Sequence, residues 1–149
     1  MTEALAALSI RRTIAVRNRI EELTPLYALL ETVSWEAGLS ETVSRRLLLV
    51  CEELFGNIVR YGYPPDDEDM VELTVECGPE TIVLTFVDHA VAHDVSQEPA
   101  APAEKPLAEM EPGGLGLFLV HHFATSVQNR REGRANITEV LLAREAENA

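Results

Sequence analysis

The sequence predicts an α+β sandwich of two layers, with helices on one face of a mostly antiparallel sheet. Three observations lead there. Two runs alternate apolar and polar residues around a Gly78-Pro79-Glu80 turn. Two longer segments repeat apolar residues at three-and-four spacing. A second pair of strand-like runs, joined through Gly133, closes the chain. The implied order is β-α-α-β-β-lid-α-β-β, a single domain over residues 1–149.

Each element has its own signature. Residues 9–16 are short and β-compatible. Over residues 19–37, Ile20, Leu23, Leu26, Tyr27, Leu30 and Val33 form one helical stripe. Pro25 predicts a regular helix starting there, after a looser turn, and Gly38 is the expected stop. Ser40 predicts an N-cap, with Glu41 at the positive end of the next helix. Val43, Leu47, Val50, Leu54 and Ile58 make its apolar stripe; Gly62, Pro64 and Pro65 end it after Tyr61. Val71, Leu73, Val75 and Cys77, then Ile82, Leu84 and Phe86, give a hairpin with one buried face. Residues 92–112, rich in Ala, Pro and Glu, read as a lid or a disordered segment. Residues 115–124 look helical, and residues 126–131 and 136–143 look like strands.

Composition narrows the function. The 149 residues hold 12 Lys plus Arg against 25 Asp plus Glu, a net charge of −13. That balance excludes a general DNA or RNA binder and disfavours an anionic membrane surface. It suits either a basic protein partner or simple solubility. The chain contains no apolar run long enough to cross a bilayer, and the first ten residues lack a signal-peptide pattern. Cys51 and Cys77 lie in apolar segments and read as buried thiols, which together point to the cytoplasm.

Three constellations carry chemistry. Glu53, Asn57, Arg60 and Tyr61 fall at i, i+4, i+7 and i+8 of the second helix. A carboxamide oxygen suits Mg²⁺, and a carboxylate one turn away can orient or deprotonate an attacking group. Alone, the stripe equally describes a solvated helix face. Glu111-Pro112-Gly113-Gly114-Leu115-Gly116-Leu117 opens a helix with glycines, as a phosphate cradle or a hinge does. It is neither a Walker A loop nor a dinucleotide fingerprint. Asp88 ends the second hairpin strand, where a carboxylate could accept from an exocyclic amine or merely terminate the strand. His89, His93 and Asp94 lack a fourth metal partner at a standard spacing.

In combination these signals are specific. Glu53-x-x-x-Asn57, then Asp88, a long lid, Gly113-Gly114-Leu115-Gly116-Leu117 and Thr138 follow one another in that order. The pattern resembles the GHKL (histidine-kinase-like, Bergerat-type) ATP-binding fold. Within it, the run from Cys51 to Tyr63 is similar to the first motif of the anti-sigma-factor serine-protein kinases of bacterial partner-switching systems. The resemblance implies that Asn57 ligates the Mg²⁺ on ATP and that Glu53 is the base for a serine hydroxyl. It implies that Arg60 and Tyr61 flank phosphates or ribose, and that Asp88 holds the adenine amine with support from Thr138. Gly114, Leu115, Gly116 and Leu117 would offer backbone N–H groups to the phosphates. The implied function is a kinase that phosphorylates an antagonist protein and sequesters a sigma factor or other effector, commonly as a homodimer. The alternative is a nucleotide-binding regulator without kinase activity. One departure stands out: Ala90 replaces the glycine of the second motif, and its methyl would crowd the turn if a positive φ were needed. Lys105 is the lid's only cation and a candidate for the γ-phosphate.

Overall fold

The computed structural model describes residues 9–92, 95–96 and 114–145. The five strands are β1 (Ile10–Arg17), β2 (Met70–Cys77), β3 (Thr81–Asp88), β4 (Ser126–Glu132) and β5 (Ala135–Ala143). The helices are α1 (Leu23–Ala37), α2 (Glu41–Asn57) and α3 (Gly114–Phe123). The strands form one sheet in the order β1-β2-β3-β5-β4, every neighbour antiparallel. The element order is the one the sequence predicts. The expected lid lies almost wholly outside the described residues, and so do Lys105, His93 and Asp94.

Strand parity sorts the sheet into two faces. On one, Leu73 and Val75 of β2, Leu84 and Phe86 of β3, and Val140 and Leu142 of β5 are buried with the helix stripes. Those stripes are Leu26, Leu30 and Val33 of α1 and Val43, Leu47, Val50 and Leu54 of α2. Burying each such side chain contributes about 1.5–3 kcal/mol, which is why the periodic pattern fixes which way each helix faces. Cys51 and Cys77 are free and buried, and burial pushes the Cys51 thiol up to about 12, so it stays a protonated core residue.

The helix ends follow local chemistry. A 3₁₀ turn, Ile20–Glu22, precedes α1. The regular helix then starts at Leu23, two residues earlier than expected. Pro25 is tolerated as the third helical residue because its missing N–H has no intrahelical acceptor there. Gly38 adopts φ 68°, and the Gly38 and Leu39 amides close onto Trp35 and Ser34 carbonyls at 3.2 and 2.9 Å. That is a Schellman stop. Ser40 caps α2, its hydroxyl accepting from the Val43 amide at 3.2 Å.

One expectation is corrected. The α-helical period of α2 ends at Asn57, and Ile58–Gly62 forms a π-helical turn. The wider closure, not the 3.6-residue period, therefore sets the directions of Arg60 and Tyr61. Ser40→Ala should lower stability by about 1 kcal/mol in a denaturant titration, with an unchanged m-value.

Candidate functional site

The site is built where α2, its π-helical turn, the end of β3 and the start of α3 converge. Glu53 is half-buried on α2. Gly116, buried in the first turn of α3, has no room for a Cβ because the Glu53 carboxylate occupies that space. The approach is so close that a Cβ here would oblige the Glu53 side chain to shift. Burial and the neighbouring Glu52 raise the Glu53 carboxyl above its ordinary value, and Arg60 opposes the shift. Arg60 itself folds back over Gly56, where a Cβ would make only ordinary contact with the guanidinium. Glu52 is engaged by Tyr27 of α1, whose phenol is pushed up to about 12 by burial and by that carboxylate.

Asn57 is half-buried at the last α-helical position, one turn beyond Glu53. Tyr61 is exposed. Gly114, Leu115 and Gly116 form the first turn of α3, where N–H groups lack a carbonyl four residues back within the helix. Leu117 packs its side chain against the core.

Asp88 is fully buried at the end of β3. Its Oδ1 accepts from the Ala90 amide at 3.0 Å and from Asn136 Nδ2 at 2.8 Å. Asn136 stands directly opposite it on β5. Thr138 pairs with Phe86 instead, and its hydroxyl accepts from Asn129 at 2.9 Å. The direct partner of Asp88 in β5 is thus Asn136, a residue the motif pattern passed over. The available signal was parity: Asn136 and Thr138 are polar at the buried positions that Val140 and Leu142 continue.

The turn after Asp88 is pinned from the other side. Val91 donates to the Gly62 carbonyl at 3.0 Å, and a Cβ on Gly62 would lie 2.6 Å from the Ala90 methyl. Among the described residues Asp66 is the sole non-glycine with positive φ, so Ala90 keeps an ordinary backbone. Its methyl does not strain the turn; Gly62 makes room for it. Tyr63 adds a strut, donating to Asp69 at 3.1 Å and accepting from the His89 amide at 3.0 Å. Burial raises the Tyr63 phenol, which keeps its proton for that bond.

The structure therefore brings Glu53, Arg60 and Gly116 together, and links Gly62 through Ala90 to Asp88. No group of three or more His, Cys, Asp or Glu suited to a metal exists among the described residues. The residues present fit a nucleotide with Mg²⁺: a carboxamide on a helix end, a cation, a helix start and a buried carboxylate. Gly62→Ala should cost about 1–3 kcal/mol in chemical denaturation, since both carbons are fixed to backbone. Adding Ala90→Gly should recover most of that loss, giving a coupling energy well above the additive expectation.

Residues 16–142 match the model of the histidine kinase-like ATPase domain. The serine/threonine-protein kinase BtrW of Bordetella bronchiseptica is 30% identical over 105 residues, covering 70% of this chain and 71% of that protein. Among solved structures, the RsbU and RsbW domains of a Mycobacterium tuberculosis protein match with a TM-score of 0.64 at 12% identity. That match covers 94% of this chain and 34% of the other, so the likeness is one of fold, over about a third of a longer polypeptide. The five-stranded antiparallel sheet with helices on one side agrees with it. The chain belongs to the histidine kinase-like ATPase domain family.

Proposed function

We propose that this chain is a Mg-ATP-dependent serine/threonine protein kinase that phosphorylates an antagonist protein and sequesters a sigma factor or another effector, as a cytoplasmic homodimer. The observation that carries the kinase reading is the Glu53 carboxylate seated against Gly116 at the start of α3, with Arg60 beside it. On this reading a base, a cation and a set of backbone donors serve one site. The relative named a serine/threonine-protein kinase supports the same chemistry.

Bound Mg-ATP would supply the γ-phosphoryl group and neutralise much of its charge. The chain's residues have separable tasks. Asp88 accepts from the adenine amine, Thr138 backs it one strand pair away, and Asn57 offers its amide oxygen to the metal. Gly114, Leu115, Gly116 and Leu117 would place backbone N–H groups toward the phosphates, and Arg60 and Tyr61 would flank phosphates or ribose. Glu53 takes the proton from the incoming serine or threonine hydroxyl, a role its raised pKa favours. The acidic surface, net −13, suits a basic effector.

The direct test incubates the protein with γ-labelled ATP, Mg²⁺ and the small antagonist captured from its host. Label should appear on serine or threonine of the antagonist, and Glu53→Gln should reduce the rate at least about 100-fold. Binding of ATP with no label transferred would make the chain a nucleotide-binding regulator instead. Asn57→Ala should remove the Mg²⁺ dependence of ATP binding and leave the melting curve of the free protein unchanged.

The same Glu53 variant carries a stability signature. A carboxyl whose pKa is raised on folding contributes stability below its unfolded value, near 4.3, and loses it as pH rises through the folded value. Glu53→Gln should therefore raise Tm at pH 7, and the difference should shrink as pH falls toward about 4, read by scanning calorimetry without nucleotide.

A further inference from the structure

Asn136 is buried to 1% exposure and makes more polar contacts than a strand residue needs. Its Nδ2 lies 2.8 Å from Asp88 Oδ1, 3.2 Å from the Ala90 carbonyl and 3.1 Å from the Val91 carbonyl. All three of those atoms are acceptors. Its Oδ1 accepts from Arg131 Nη1 at 2.9 Å, and the same nitrogen donates to the Ala90 carbonyl at 3.0 Å. Arg131 stands opposite Asn136 in the β4–β5 register.

The orientation of the amide follows from this chemistry. A guanidinium has donors only, so the atom facing Arg131 must be the amide oxygen. The NH₂ group must then face Asp88 and the two carbonyls. A flipped amide would set Nδ2 against a cation and Oδ1 against three acceptors. Arg131 thus fixes which way Asn136 points, and Asn136 fixes one oxygen of Asp88 and the backbone of the Ala90–Val91 turn.

We infer that Asn136, oriented by Arg131, is a positioning residue that keeps Asp88 an acceptor and so sets the preference for a 6-amino over a 6-oxo purine nucleotide. The inference rests on Asp88 as the adenine partner. Asn136 touches no nucleotide itself. It acts through the aim of the Asp88 carboxylate, which it holds by a hydrogen bond of 2.8 Å. A 6-amino group donates to an ionised carboxylate. A 6-oxo group presents an acceptor to the same oxygen and is repelled. The discrimination is that of a charge-assisted hydrogen bond made or lost, worth about 10- to 100-fold in affinity.

Calorimetric titration of Mg-ATP and Mg-ITP into the full chain tests this, with Asn136→Ala and Arg131→Met as variants. The wild type should favour ATP about 10-fold or more. Asn136→Ala should bring the two affinities to within about 3-fold, mainly by weakening ATP, while ITP binding stays near the wild-type value. Arg131→Met, at an exposed position on the edge strand, should lower the ratio part of the way. Should Asn136→Ala fail to give a cooperative melt, the Arg131 variant decides the matter alone. Folded variants that keep the wild-type ratio, or that lose ATP and ITP equally, would overturn the inference and leave the Asp88 reading standing. A wild type that binds ATP and ITP alike would remove the Asp88 reading itself, and the inference with it.

Discussion

A carboxylate without any exposure ends β3, and the arrangement around it follows from that burial. An ionised group removed from water costs several kcal/mol unless donors replace the lost hydration. The Ala90 amide and the Asn136 side chain supply two of them. Accepting from Ala90 bends the chain back on itself just beyond the strand. That bend carries Ala90 and Val91 onto Gly62, at the far end of the π-helical turn. The sheet layer and the helix layer are therefore joined at this corner by polar contacts in addition to the apolar packing of the core. A ligand entering beside Asp88 would meet both layers at once.

The second consequence concerns charge. A protein of net charge −13 that takes a nucleotide must present local positive potential. On the proposed reading, Arg60 and the amides opening α3 provide it, and Asn57 adds a metal. Arg60 lies over Gly56, and the Glu53 carboxylate sits against Gly116 at the start of α3. Several other cations are spent in surface pairs, Arg11 with Glu76 and Arg12 with Glu36 among them. Exposed pairs of that kind contribute about 0–1 kcal/mol and matter little for the fold. The acidic surplus is left for the rest of the surface, where a protein partner could read it.

Local signals carried most of the architecture. Alternation gave β2 and β3, the turn through Gly133 marked β4 and β5, and three-and-four spacing gave α1 and α2. Gly38 and Ser40 marked the break between those helices, because capping chemistry is local. Strand and helix ends moved by one or two residues, as at Met70 and Leu23, since pairing partners and turns decide where an element stops. What was not legible depends on residues distant in sequence. The π-helical turn has no signature of its own and is seated by Gly62 against Ala90. For the same reason Ala90 looked like a defect beside its neighbours and is an ordinary residue in the fold. Asn136 lay within a strand pattern, and its polar character at a buried parity was the one hint that it served Asp88.

The account rests on Asp88 as the group that recognises the base, so calorimetric titration of Mg-ATP into the wild type and Asp88→Asn tests it most directly. The variant keeps the shape and replaces a carboxylate by an amide. Wild-type binding with at least about a 100-fold loss in a folded Asp88→Asn protein is the predicted result. Equal ATP affinity in the two proteins would contradict the account, because the base would then be held elsewhere.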